Sequence, residues 1–277
     1  MSNSRFGFRS RKGEIRSFIE GNVAILYDAD AQAFINAAGI TATTQQSAIN
    51  TLVVDLKSQS LWTKFNAIYP FVGGTATTHK FNLINPADTD AAFRLSFVGG
   101  WTHSANGAQG NGTNGYANTF INALNNIFNL STHLSIYSRS QTVGTQVEIG
   151  AWDNFTGGAR FYQLRAATNS VFGSTISILF FTTTADARGF WIATKRANND
   201  REAYLNGISQ TTSTTNDTET FPNLNLFISA RNDFGAANVF SNKQLAFASV
   251  GSGLTDAEVT TLNTIIQTFQ TTLGRQV

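Results

Sequence analysis

Two acids five positions apart, Glu148 and Asp153, come nearest to a catalytic pair in this 277-residue sequence. Glycoside cleavage needs two carboxyl groups about 5 to 9.5 Å apart. Five residues of extended strand span about 16 Å, and an odd spacing turns the two side chains to opposite faces. The pair would cooperate only across a bent strand, so no catalytic residues are expected. His79, His103 and His133 each follow a threonine and raise the question of a metal site. By strand parity His79 shares a face with Phe81 and Leu83, whereas His133 lies opposite the face of Leu134 and Ile136. The three are therefore expected to be satisfied structural histidines that do not converge. Cysteine is absent, which excludes disulfides, thiolate metal sites and cysteine nucleophiles. No glycine-rich phosphate loop with its lysine occurs.

Sugar binding asks for different chemistry: an exposed aromatic surface beside amide and carboxylate groups. Trp101 and Tyr116 qualify, as do Trp152 with Asp153 and Asn154, and Arg231, Asn232 and Asp233 beside Phe234. These residues fall at strand ends or in loops, and they form the candidate glycan-binding set.

The elements that must position them are mostly strands. Hydrophobic residues make up 42% of the chain, enough for a substantial core, while charged residues make up 13%, leaving Asn, Thr, Ser and Gln to solvate the surface. From about Phe71 apolar side chains recur with a period of two: Phe81 and Leu83; Phe93, Leu95 and Phe97; Leu134 and Ile136; Val147 and Ile149. The run Ile176 to Phe181 is apolar on both faces and is expected at the centre of a sheet. Ala203-Tyr204-Leu205-Asn206-Gly207 reads as a hairpin, since Asn-Gly is the strongest short-range hairpin signal. Leu224, Leu226, Ile228 and Ala230 share one face of a later strand. The Gly/Asn-rich stretch Ser104 to Asn118 reads as a long surface loop.

Helices are expected in two places. Between 28 and 70 lies a helical segment: Phe34, Ile35 and Ala38 form a stripe behind an Asp28 or Asp30 cap and before Gly39, and a second helix opens at a Thr43/Gln46 capping box. Leu61, Trp62, Phe65, Ile68 and Tyr69 continue its apolar face. Near the C-terminus, Thr255 and Glu258 have capping-box spacing and open a helix over 255–273. Its stripe is Val259, Leu262, Ile265, Ile266 and Phe269.

Net charge is only +2, so the chain as a whole is not expected to bind nucleic acid. Basic residues concentrate at the start, however, where Arg5, Arg9, Arg11, Lys12 and Arg16 face the single acid Glu14. With Phe6, Phe8 and Phe18 they mark residues 1–27 as an attachment arm, expected to be held by neighbouring subunits. No apolar run reaches the length of a signal peptide or a membrane span, so assembly in the cytoplasm without membrane insertion is expected.

The order of hairpin, extended strand, strand and Leu254-Thr255-Asp256-Ala257-Glu258 helix resembles the closing half of a concanavalin A-like or laminin G-like jelly roll. Upstream, Tyr69-Pro70-Phe71-Val72-Gly73-Gly74-Thr75 and Phe97-Val98-Gly99-Gly100-Trp101-Thr102-His103, with the tail Phe269 to Val277, resemble virion structural proteins of tailed phages that infect Bacteroidetes-type bacteria. The resemblance spans residues 28 to 277. It implies a mostly β protein: an antiparallel two-sheet jelly-roll sandwich over 71–277 with a C-terminal helix, preceded by the arm and the helical segment. It further implies a noncatalytic capsid or tail appendage. Such a protein joins other virion proteins through its arm and forms a symmetric homo-oligomer. The alternative is a receptor-binding or host-polysaccharide-binding fibre or spike protein, whose partner is a host surface glycan. A polysaccharide depolymerase is the enzyme alternative, but the laminarinase-like Glu-x-Asp-x-x-Glu pattern is missing. Some proteins of this fold bind calcium, for which Asp200 after Asn198 and Asn199, or Asp233 after Asn232, would offer oxygen ligands, although turn chemistry accounts for both runs equally well.

Overall fold

The computed structural model describes residues 15–19, 22–127, 131–141, 146–155, 158–165, 169–174, 179–183, 185–218 and 220–277. Of 15–19, 22–25, 155, 158, 169–174 and 179–183 it describes the backbone alone. Arg5, Phe6, Phe8, Arg9 and Arg11 of the expected arm lie outside the described residues, while Arg16 and Phe18 fall in its first strand. That strand, β1 (Ile15–Ile19), pairs antiparallel with β2 (Asn22–Leu26) as a separate two-stranded sheet. Helices α1 (Ala29–Ala38) and α2 (Thr43–Ser58) follow, then β3 (Phe65–Tyr69) and a single turn, α3 (Ala76–His79). The chain continues through β4 (Ser96–Val98), β5 (Trp101–Ser104), β6 (Gly107–Gly110), β7 (Tyr116–Asn122) and the short α4 (Ala123–Asn126). Next come β8 (Thr132–Ser138), β9 (Ile149–Phe155), β10 (Gly158–Leu164), β11 (Asn169–Ser174) and β12 (Leu179–Thr183). The closing elements are β13 (Gly189–Ala197), β14 (Asp200–Leu205), β15 (Ile208–Ser213), β16 (Asn225–Ile228), β17 (Arg231–Asp233), β18 (Ala236–Asn238), β19 (Gln244–Gly251) and α5 (Asp256–Thr272).

The strands build a two-sheet sandwich. One sheet has the order β15-β14-β13-β8-β19-β6-β5, with β3 added to β19; the other has the order β12-β11-β10-β9-β16-β7-β4, with β17 and β18 added beside β9. Their facing sides share a core that includes Leu134, Ile136, Trp191 and Val250 from the first sheet and Ile121, Ile149, Tyr162 and Ile228 from the second. A second core lies on the far side of the first sheet. There Phe34, Ile49, Leu52, Val53, Leu262, Ile266 and Phe269 of the helices pack on Tyr137, Phe190, Ile192, Tyr204 and Phe247 of the strands. The eight-stranded sheet is thus covered on both faces, and every residue of β8 is buried. Burial on both faces is the reason β13 runs apolar without alternation from Phe190 to Ala193.

Local signals act as the sequence implied at several points. Asp28 accepts the Asp30 N–H at the start of α1, and Gly39 closes it in the left-handed conformation. Thr255 and Glu258 form a complete capping box on α5. Asn206 and Gly207, at φ 51° and 76°, turn β14 into β15 as paired left-handed residues do in tight hairpins.

Other expectations are corrected. The Thr43/Gln46 box does not form: the N-cap is Ala42, and the Gln46 amide donates to the Ile40 carbonyl. Residues 65–69 are strand, not a continuation of the helix, because their apolar side chains fill both cores next to β19. The expected strand through Phe81 and Leu83 is irregular. The Asn82 side chain accepts the N–H groups of Ile68 and Ile84 in place of a ladder. Phe93 leaves a turn with φ 60°, so that strand begins only at Ser96. The stretch 104–118 is not a long loop but contains β6 and the start of β7. Glycine is required there by close approach, since a Cβ on Gly107 would lie 2.2 Å from the Leu245 carbonyl oxygen. Residues 175–178 lie outside the described residues, and β12 ends its sheet rather than centring it.

One side chain ties the layers together. Arg275 is fully buried and donates to the carbonyls of Pro70 (2.7 Å), Phe71 (2.8 Å) and Ala246 (2.8 Å) and to Gln270 Oε1 (2.6 Å). Its guanidinium also lies over the Phe269 ring. Phe71 holds φ 43°, a strained value for a bulky residue, and carbonyls on both sides of it are fixed by this arginine. Arg275→Met would leave buried carbonyls without donors at about 1–3 kcal/mol each. We expect a loss of several kcal/mol in urea unfolding, and a loss under about 1 kcal/mol would show that the clamp is dispensable.

Candidate functional site

Helices cover the outer side of the eight-stranded sheet, so the accessible broad surface is the outer face of its nine-stranded partner. On β9, Ile149 and Ala151 enter the inter-sheet core, which turns Gly150, Trp152 and Asn154 outward. Across the ladder Phe161 stands opposite Trp152, and Gln163 opposite Gly150. The β17–β18 hairpin lies along β9 in parallel register, bringing Arg231 opposite Gly150 and Asp233 opposite Trp152. Its turn is Phe234-Gly235, with both φ angles positive.

This register builds an aromatic platform around one cation. The rings of Trp152 and Phe161 lie 5.6 Å apart and nearly parallel, and Phe234 meets Trp152 edge-on at 4.7 Å. The Arg231 guanidinium sits 5.1 Å from the Trp152 centroid and 5.5 Å from that of Phe161. Asp233 holds it bidentately at 2.5 and 2.8 Å, and Gln163 Oε1 accepts a further bond at 3.3 Å. Trp152 and Phe161 remain half-buried while Phe234 is 55% exposed. The Trp152 indole N–H is buried with no acceptor among the described residues.

Beside the platform lies a cleft of about 330 Å³ lined by Asn118, Asn122, Asn223, Asn225 and Asn232, with Phe227, Leu224 and Gly235. Tyr116 stacks on Phe227, a lining residue, at 4.5 Å. Amides beside an aromatic face are the groups that sugar hydroxyls and ring faces require. Of the five asparagines only Asn232 was singled out from the sequence. The others, scattered through an Asn-rich chain, meet because β7 pairs with β16.

Two expected members do not join. Trp101 belongs to the other sheet, where its indole N–H donates to the carbonyls of Val98 and Tyr116 and its ring packs on Phe97 and His103. Asp153 points into the sandwich and binds Arg160 through both oxygens at 2.6 Å, also accepting the Asn223 N–H. Asn154 stays exposed at the end of β9.

Among the described residues the two acids weighed for catalysis are both engaged. Glu148 is fully buried against Lys243 at 2.9 Å and Ser241 at 2.9 Å, on the opposite strand face from Asp153. The carboxylates suggested for calcium are likewise occupied, Asp200 by Arg196 and Asp233 by Arg231. Among the described residues no group of three His, Cys, Asp or Glu side chains could hold a metal. Among them, too, no helix is long and apolar enough to cross a membrane.

The histidines are structural, but two of them do meet. His79 lies in α3 rather than on a strand, so the parity argument fails. Its Nε2 accepts the Gly74 N–H at 3.1 Å, which leaves the proton on Nδ1 to be donated to His103 Nδ1 at 2.9 Å. His133 is separate, bonded to the Ser252 carbonyl and Ser249 Oγ. Burial pushes His79 down to about 3, aided by the charges of His103 and Arg275, and pushes His133 down to about 4.

A scan against protein-family models gives no match to the chain, and a search of curated proteins gives none either. Solved structures do match. A Trypanosoma rangeli sialidase mutant displaying trans-sialidase activity aligns with a TM-score of 0.52 at 12% identity, over 81% of this chain and 39% of that one. Domain 4 of an extracellular arabinanase from Geobacillus stearothermophilus, in complex with arabinotriose, aligns at 0.42 and 17% identity over 72% of this chain and 98% of that one. The CBM40 of a Ruminococcus gnavus sialidase, bound to α2,3-sialyllactose, gives 0.39 and 16% over 50% and 83%. The first of these shows a shared β-sandwich fold, and the chain spans about two fifths of that sialidase's length.

The depressed histidines set a direction for stability. On acidification the unfolded chain takes up protons near pH 6.5, whereas the native imidazoles stay neutral until about 4 and 3. Stability present above about pH 6.5 is therefore lost as the pH falls. The melting temperature is expected to drop between pH 7 and 5, above the range in which ordinary carboxylates titrate. His133→Gln should flatten that slope, and an unchanged melting temperature across the window would contradict the assignment.

Proposed function

We propose that this protein is a noncatalytic virion structural protein whose sandwich presents a glycan-binding face. The observation that carries the binding part is the uncovered outer face of the nine-stranded sheet, where Trp152, Phe161, Phe234 and Arg231 form a platform next to an asparagine cleft. Stacking of a sugar ring on such a platform needs little rearrangement, because the rings are already held by the ladder and by Asp233. The solved arabinanase domain and CBM40, in complex with sugars, accord with this reading but do not argue for it. A depolymerase is disfavoured, because Glu148 and Asp153 are each paired with a cation and turned to opposite sides of the strand.

The virion part rests on the resemblance carried by Tyr69–Thr75, Phe97–His103 and Phe269–Val277, together with the basic arm. In this reading the arm attaches the subunit to other virion proteins, symmetric copies assemble as virion positions demand, and the platform faces a host surface glycan.

Trp152→Ala removes the largest ring of the platform while leaving the inter-sheet core intact. On a glycan array the wild-type chain should bind, and the variant should lose at least about tenfold in affinity with its circular dichroism unchanged. Equal binding by both would remove the platform from the function. Mapping the subunit's neighbours in intact particles tests the virion assignment.

A further inference from the structure

Two outward positions beyond Phe161 on the same face stands a cation that makes no hydrogen bond or ion pair among the described residues. On β10 the outward positions run Phe161, Gln163 and then Arg165, just beyond the end of the strand. Arg165 is half-buried, and its Nε is buried without an acceptor among the described residues. No hydrogen bond or ion pair joins its guanidinium to any of them. The charges that reach it electrostatically are Glu148, which favours its cation, and Arg231, which opposes it. Glu148 already binds Lys243, and Arg231 already binds Asp233. Among the described residues the carboxylate that favours the Arg165 cation, Glu148, is thus shared with Lys243.

A half-buried guanidinium without an anion is costly, and a fork of parallel N–H groups is the geometry that a carboxylate accepts. The Trp152 indole N–H on the same face also lacks an acceptor. We propose that the platform takes a carboxylate-bearing glycan, with Arg165 forking onto the carboxylate while the sugar ring lies against Trp152, Phe161 and Phe234. This rests on the glycan-binding reading above and adds the substrate class to it.

The test uses the full chain against an array of neutral, carboxylated and sulfated glycans. Titrations follow with polygalacturonate and with polysialic acid, each compared with its methyl ester. Binding is expected to a carboxylated polymer, weakened at least about tenfold by esterification and by Arg165→Gln, partly retained by Arg165→Lys, and weakened by rising salt. The two polymers separate a uronic acid from a nonulosonic acid as the source of the carboxylate. Neutral glycans bound equally by wild type and Arg165→Gln would overturn the acidic preference while leaving the platform's role in sugar binding intact. Binding to sulfated members alone would overturn the carboxylate assignment. Silence across the whole array would overturn both, and Arg165, lacking a partner, is a position where substitution should not disturb folding.

Discussion

The covering of one sheet by helices is the constraint on which the rest of the molecule depends. Helices α1, α2 and α5 bury the outer face of the eight-stranded sheet, and the sandwich core buries its inner face. The nine-stranded sheet is packed on one side by that core and presents the other. Among the described residues the broad ligand surface is therefore that outer face. Around β9 and β17 it carries aromatic rings, amides and paired charges.

The segments Tyr69–Thr75, Phe97–His103 and Phe269–Val277 meet in the fold, far apart as they are in the chain. Arg275 of the tail donates to Pro70 and Phe71 of the first segment and lies near the Ala105 carbonyl just after the second. His79, packed on Phe71, bonds to His103 of the second. Gly99 and Gly100 in that segment admit neighbours that a Cβ would block, the Asn114 carbonyl and the Asn111 side-chain amide respectively. These motifs thus form a joint between the C-terminal helix and the sandwich. Their polar groups are satisfied within that joint, so Trp101 and His103, weighed for sugar and metal binding, serve packing and hydrogen bonding there.

The two acids that a catalytic reading would need are paired with cations, Asp153 with Arg160 and Glu148 with Lys243, and Asp233, weighed for calcium, is held by Arg231. Buried pairs of this kind hold geometry. Asp153 illustrates the limit of reading residues singly. Beside Trp152 and Asn154 it looks like part of a sugar site, yet strand alternation sends it to the other face, and only the ladder partner Arg160 reveals its role.

Sequence alone determined the elements whose signals are local. The capping box at Thr255, the Asp28 and Gly39 ends of α1, the Asn206-Gly207 turn and the period-two strands all depend on residues within one or two turns of chain. From them the β-sandwich with a closing helix follows. Of the site, Trp152, Tyr116, Arg231, Asn232 and Asp233 were legible as residue types suited to sugars. What tertiary structure decided was which of them share a face, and what they meet there. Phe161 and Arg165 join the surface through the pairing of the consecutive strands β9 and β10, and the asparagines 118, 122, 223 and 225 through that of the distant strands β7 and β16. Trp101 and Asp153 leave it for the same reason. Register and sheet order are properties of contacts between segments far apart in sequence, and no local periodicity encodes them.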